Sequence, residues 1–379
     1  MRVIAAPDSF KGSLSAKQAC EAIARGIRRV DSNAEVISIP MSDGGEGTID
    51  SLADATGGRM LHVETVDPLG RAITARYAIL GDQRTAAIEM AEASGLVRLA
   101  AHERNPLLAS TYGTGLLIRH ALDQGCRKFI LGIGGSATND GGTGMAVALG
   151  ARLLDASGEL LLEGGGGLTA LAAIDTTDLD SRIADCEFLV ACDVDNPLCG
   201  EQGASYVFGP QKGATAEMVR QLDLGLARFA DISLRDLGVA ISELPGGGAG
   251  GGMSAGAVAF LGAKLESGVE LVKRAVRLDE QLAGSDLVIT GEGRCDAQTI
   301  HGKTPYGVAV SARRAGVPTV IIAGTLGDGI ESLYEHGVTA AFSMLDRPMS
   351  LDEAVADADR LLERAAERVA RLWLNGSRQ

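Results

Sequence analysis

Aromatic residues are scarce in this chain: one Trp, five Tyr and seven Phe make 3% of its 379 residues. A bound ring therefore has to lie between aliphatic side chains rather than on a Tyr or Trp. Positive charge is in deficit too. With 35 Lys and Arg against 49 Asp and Glu, the formal charge is −14. That balance argues against a nucleic-acid backbone or an anionic membrane surface as partner. A small anionic substrate stays admissible, provided Lys or Arg side chains are placed locally to offset the global field. The six cysteines form no CxxC pair and have no nearby His among only five histidines. They read as reduced thiols of a cytoplasmic protein, and zinc is not expected. No run is long enough to span a membrane, and the opening "MRVIAAPDSF" has too short an apolar stretch for a signal peptide.

Glycine is what the chain has in excess: 51 residues, against an ordinary share of about 7%. Many sit beside Ser, Thr, Asn and Asp rather than Pro, which points to several tight backbone loops and not to collagen or disorder. The length favours two domains. "VIAA" and "EVISIP" are strands separated by a helix whose start carries a capping box, Ser15 with Gln18. "LHVETV", "AITARYAIL" and "TAAIEM" follow with no helix between them, so antiparallel pairing and a second domain begin here. Alternating helices and strands resume, a helix is expected near 215–237, and the glycine-rich "ELPGGGAGGGMSAG" comes next. From "DLVIT" the pattern of the N-terminus returns. The expected fold is α/β with two domains: residues 1–65 plus 285–379 as a discontinuous Rossmann/flavodoxin-like parallel-sheet domain, and 66–284 as an inserted mixed α/β domain.

The loop "GIGGSATNDGG" at 132–142 follows the apolar run "KFIL". Gly132, Gly134 and Ala137 satisfy the dinucleotide pattern GxGxxA, and Asp155 lies where an acid would hold a ribose hydroxyl. A nicotinamide-dependent dehydrogenase would, however, need its helix to open inside the glycine run, whereas "TNDGG" continues the loop. The side chains suit an anion grip better: glycines free the backbone N–H groups, Ser136, Thr138 and Asn139 add donors, and Asp140 is a candidate Mg²⁺ ligand. The alternative is a turn whose polar groups satisfy its own backbone.

Four more loops repeat this chemistry behind apolar strands. "APDSFKGS" carries Asp8, Ser9, Lys11 and Ser13; "SDGGEGT" carries Asp43, Glu46 and Thr48. "ACDVDNPL" carries Asp193, Asp195 and Asn196, and "TGEGRCDAQTIHGKT" carries Glu292, Arg294, Asp296 and Lys303. Ligands of open α/β sheets sit at the carboxyl ends of strands, where all of these lie. "GKT" at 302–304 is not a Walker loop, because Ala297 occupies the required glycine position. Protein-kinase motifs and a G-x-S-x-G elbow are missing as well.

Taken together, "APDSFKGSLSA", "DGGEGT", "GIGGSATNDGG", "CDVDNPL", "FGPQKGA" and "GEGRCDAQT…GK", with "VDPLGR" at 66–71, resemble the bacterial type 1 glycerate kinase family from the first strand to beyond residue 325. The resemblance implies ATP-dependent phosphorylation of D-glycerate with Mg²⁺, giving 2-phosphoglycerate in preference to 3-phosphoglycerate. It also implies an active site in the cleft between two α/β domains. Phosphoryl transfer then distributes the roles. Lys11 is the expected phosphoryl clamp. Asp43, Glu46 and Asp140 are candidate metal ligands. Asp193 is the expected base, with Asp296 as rival. Arg294 or Lys303 would meet the glycerate carboxylate. Asp8, Ser9, Ser136, Thr138, Asn139, Asn196 and Glu292 would hold phosphate or substrate. A dehydrogenase, a kinase of another small hydroxy acid and a non-catalytic acidic binding protein are the competing readings. The sequence leaves open a homodimer, and whether the glycine-rich segment is a hinge or a second phosphate loop.

Overall fold

The computed structural model describes residues 1–376. The chain forms two compact units. The first combines Met1–Asp43, Asp50–Gly57 and the stretch from Ser267 onward; the second combines Gly44–Ile49 with Gly58–Glu266. The breaks at 57/58 and 266/267 differ from those read from the sequence, 65/66 and 284/285, for a packing reason. The strand Arg59–Val66 pairs along its whole length with Ala72–Ile79. The helix Gly268–Ala275 instead seats Val269 against Gly307 of the helix Thr304–Arg314.

The first unit is built on five parallel strands in the spatial order Val338–Ser343, Thr319–Ala323, Leu287–Thr290, Arg2–Ala5, Glu35–Ser38. Its central strands are apolar almost throughout, since both faces are covered: Leu287–Thr290 and Thr319–Ala323 are buried at every position. In chain order the strands run 2-1-3-4-5, the flavodoxin-like winding. The order reverses between the first strand and Leu287–Thr290, and that is where such sheets open a crevice at their carboxyl ends. On one face the helix Ala16–Arg28, started by the Ser15/Gln18 capping box, packs against Ala358–Gly376. Gly26 permits that approach, because a β-carbon there would overlap the Glu363 carbonyl.

The second unit has six strands in the order Lys264–Glu266, Glu187–Ala191, Lys128–Gly132, Thr85–Glu89, Ala72–Ile79, Arg59–Val66. The last three include the antiparallel pairs expected from the sequence, and Thr85–Glu89 then joins a parallel set through Lys128–Gly132. Phe129 and Phe188 stack at 4.5 Å across neighbouring strands and centre the core. The register sets Glu89, Gly132 and Ala191 side by side, so the loops that follow leave the sheet from one edge.

Candidate active site

In the first unit the loop after the first strand is tied to its neighbour. The Ala6 and Asp8 amides donate to the carbonyls of Ile289 and Gly291. Phe10 and Leu14 exchange backbone bonds across a tight turn in which Gly12 adopts φ +80°. Lys11 stands exposed on that turn, with no ion pair among the described residues. Asp8 points inward. Its Oδ2 accepts from the Thr304 hydroxyl at 2.6 Å and its Oδ1 from the Ser9 amide at 2.6 Å. Burial, aided by the Asp43 charge, raises its carboxyl to about 6.

Glu292 leaves the next strand beside it. Its Oε1 accepts from the Thr299 hydroxyl at 3.2 Å, and its Oε2 lies 3.7 Å from Lys303 Nζ. Burial raises this carboxyl to about 7, with Asp8 adding to the rise and Lys303 opposing it. Asp43 thus acts on Asp8, Asp8 acts on Glu292, and Lys303 offsets Glu292, a balance that favours an added positive charge near Asp8. Arg294 bonds Asp296 through Nε at 2.9 Å, leaving its terminal nitrogens for another partner.

Asp296 has a structural task. It caps the turn Ala297–Ile300, accepting from the Gln298 amide at 2.9 Å. That bond and Arg294 hold its carboxyl below the usual range, which makes it a weak base. The geometry therefore goes against Asp296 as the proton acceptor.

The second unit corrects more of the expected set. Asp140 is fully buried: Oδ2 accepts from the Thr111 amide and hydroxyl, both at 2.8 Å, and from the Gly144 amide at 3.3 Å, while Oδ1 takes the Gly142 amide at 3.2 Å. Held by these loop donors and at 0% exposure, its carboxylate has no open face toward a solvent-borne Mg²⁺. Thr138 and Asn139 are also at 0% exposure, and the Asn139 amide donates to the Ser205 hydroxyl at 2.9 Å. Their side chains lie inside the loop, where the Thr138 hydroxyl and the Asn139 side-chain carbonyl oxygen have no hydrogen-bond partner among the described residues. Asn196 likewise spends its amide on the Gln202 carbonyl at 2.8 Å. What the 132–142 loop presents outward is the Gly134–Gly135 tip, with Ser136 next to it.

The glycine-rich segment resolves into packing. Gly250, Gly251 and Gly252 all have positive φ. β-carbons at 251 and 252 would collide with the Thr138 carbonyl and with Gly141, and one at 248 with the Pro197 carbonyl. Three chain segments thereby approach backbone to backbone. The fully buried Lys212 fastens the junction by donating to the Thr138 carbonyl at 2.6 Å; burial pulls its ammonium down to about 7, against the opposing field of Asp140. Lys212 lies in "FGPQKGA", a motif noticed in the sequence without a role. Its local sequence, Pro210-Gln211-Lys212-Gly213, reads as a turn and carries no mark of burial.

Around the same edge, Gly44–Ile49 reaches the loop end: the Ile49 amide donates to buried Glu89 at 3.0 Å, and Gly44 lies against Gly132. Glu46 is exposed in this turn, and Asp193 is exposed after the strand Glu187–Ala191. The dehydrogenase geometry does not occur. The helix after the loop begins at Thr143, not within the glycine run, and Asp155 closes a turn with Ser157 and Glu159.

In the first unit the switch-point loops carry an exposed lysine and largely buried carboxylates, and in the second a glycine loop follows a parallel strand; each is a feature of α/β enzymes that handle small anions. The chain belongs to the glycerate kinase family, whose model matches residues 3–374. It is 54% identical to a glycerate kinase of Halalkalibacterium halodurans, with 97% of each chain covered. It is 47% identical to the glycerate 2-kinase of Escherichia coli, covering 100% of this chain and 99% of the relative. A solved structure from Salmonella typhimurium LT2, assigned as a glycerate kinase 2, superposes with a TM-score of 0.93 at 49% identity over the full length of both chains.

Proposed function

We propose that this chain transfers the γ-phosphoryl group of ATP to D-glycerate, at the 2-hydroxyl in preference to the 3-hydroxyl. The observation that carries this reading is the Asp8–Lys11 loop beside Glu292 and Lys303 at the sheet's switch point, in a chain related to glycerate kinases from end to end. The preference for the 2-hydroxyl is supported by the name of the Escherichia coli relative.

In the proposed reaction the glycerate hydroxyl oxygen bonds to the γ-phosphorus as the bond to the β–γ bridging oxygen breaks, and ADP leaves with that electron pair. The hydroxyl proton leaves to a carboxylate base, for which Asp193, exposed after the strand Glu187–Ala191, is the candidate read from the sequence. Lys11 neutralises charge spreading over the transferred phosphoryl oxygens; its exposed position and missing ion pair leave its ammonium free for that work. Arg294 receives the glycerate carboxylate with its terminal nitrogens, a fork suited to two parallel bonds. Ser136 and the glycine tip add donors for an anion.

Mg²⁺ fits this donor set in a restricted way. No group of three or more His, Cys, Asp or Glu among the described residues is arranged to hold a metal ion. Mg²⁺ needs only one or two carboxylates when phosphates supply the rest. Asp8 and Asp43 would hold it, since their mutual field already calls for a cation, and Glu46 is a further exposed carboxylate. When bound it would supply charge neutralisation on the triphosphate. Six free thiols, and the absence among the described residues of a helix long and apolar enough to cross a membrane, are consistent with work in the reducing cytoplasm.

The test is ADP release with ATP, Mg²⁺ and D-glycerate, with the acceptor omitted in parallel. Release that depends on D-glycerate is the expected result. Release that other small hydroxy acids support better than D-glycerate would reassign the acceptor, and none at all would remove the kinase reading.

A further inference from the structure

The first unit contains a cavity of about 250 Å³ whose wall is unlike the polar loops around it. Met344, Leu345, Met349, Leu351, Ala354 and Val355 make it aliphatic. Leu351 and Val355 remain 78% and 37% exposed, apolar surface that nothing in the unit covers. The cavity is floored by backbone. Gly293 and Gly324 face it, and a β-carbon at Gly324 would overlap the Gly293 carbonyl. Lys11 and Ser13 form the polar wall, and Thr325 contributes an exposed hydroxyl with no hydrogen bond to the protein. Its lining comes from the carboxyl ends of four adjacent parallel strands: the first strand, Leu287–Thr290, Thr319–Ala323 and Val338–Ser343.

We propose that this cavity is the adenine site of the nucleotide donor, a proposal that rests on the kinase reading. Size is the first reason. Whole-ligand pockets run to about 300–1,000 Å³, so this one suits a base and not an entire nucleotide. Chemistry is the second. Glycerate is small, charged and rich in hydroxyls, and an aliphatic wall offers it nothing, whereas a purine gains by burying both faces against Met and Leu. Thioether side chains adapt well to a flat polarizable ring, and a chain so poor in aromatics has few rings to offer instead. Continuity is the third. Lys11 and Gly293 belong both to this cavity and to the loops carrying Asp8 and Glu292, so a base seated here sends its phosphates toward Lys11.

The experiment uses the whole protein and 8-azidoadenosine triphosphate. After glycerate-dependent turnover of the wild type is established, the analogue is photolysed on the enzyme and the labelled peptide is mapped by mass spectrometry. Label within residues 344–355 is expected, protected by ATP but not by inorganic tripolyphosphate at concentrations that spare the base site. In parallel, Met349→Trp fills the cavity. It should raise KM for ATP at least about tenfold, while KM for D-glycerate and inhibition by tripolyphosphate stay within about twofold. ATP-protected label elsewhere, or a folded Met349→Trp enzyme with KM for ATP within about twofold of wild type, overturns the base site and leaves the kinase standing. If the variant fails to fold, the label on the wild type still decides. A wild type with no glycerate-dependent turnover overturns the kinase reading and the base site with it.

Discussion

Gly251→Ala tests whether the glycine-rich segment is a packed junction or a hinge. Gly251 has φ +73°, and an added β-carbon would overlap the Thr138 carbonyl and crowd Lys212 Nζ. Two costs follow. Forcing alanine into the left-handed region costs about 1–2 kcal/mol, and overpacking a close backbone contact costs about 1–3 kcal/mol. Their sum is a loss of about 2–5 kcal/mol. Gly238→Ala supplies the control, because Gly238 has φ +70° but nothing within 4 Å of the new methyl group. It should lose only the first amount. Urea unfolding of both variants, followed by circular dichroism, isolates the steric part as their difference. If Gly251→Ala unfolds at the same urea concentration as Gly238→Ala, the close-packing account of the segment is wrong, because a flexible hinge would register only the backbone strain.

Further outcomes follow from the same geometry. Lys11→Ala should lower kcat by about 10- to 150-fold, the equivalent of losing a charge-assisted contact of about 1.5–3 kcal/mol, with stability unchanged because the side chain is exposed; an unaltered kcat would take Lys11 out of the mechanism. Asp140→Ala strands buried donors from Thr111, Gly142 and Gly144, so it should cost at least about 3 kcal/mol of stability. Folded Asp140→Ala enzyme should keep its Mg²⁺ dependence; a large shift in that dependence would restore the ligand role. Burial pulls the Lys212 ammonium down to about 7 in the folded chain, against about 10.4 unfolded. Between those values the unfolded chain holds more protons, so stability should rise with pH from about 7 toward 10. Urea midpoints at pH 7 and 9 should show that rise in wild type and a smaller one in Lys212→Met; equal slopes would contradict it.

How far the sequence was legible depends on the range of the interaction. The strand-end loops could be read because an apolar run followed by Gly, Asp and Ser is a local pattern, and Ser15 with Gln18 sits within one helical turn. Lys11 and Asp8 were accessible for the same reason. Asp140 was not, because its partner Thr111 lies 29 residues away, and an Asp in a glycine loop looks alike whether it binds a metal or the loop's own amides. Lys212 reaches Thr138 across 74 residues, a pairing that no spacing rule reveals. Asp296 shows the opposite failure. Its capping bond from Gln298 spans only two residues and is local, yet an Asp among Glu292, Arg294 and Lys303 has the same sequence pattern whether it caps a turn or takes a proton. The breaks between units shifted from 65/66 and 284/285 because strand pairing and helix seating, which are tertiary, decide where a unit ends.

The proposed reaction esterifies D-glycerate with the γ-phosphoryl group of ATP. Phosphorus NMR of the product reads it directly, since the proton coupling reports the carbon that carries the ester. A doublet, from phosphate on the single-proton C2, is the predicted result. A triplet, from phosphate on the two-proton C3, would contradict the assigned hydroxyl, and a spectrum holding only ATP, ADP and inorganic phosphate would contradict the account itself.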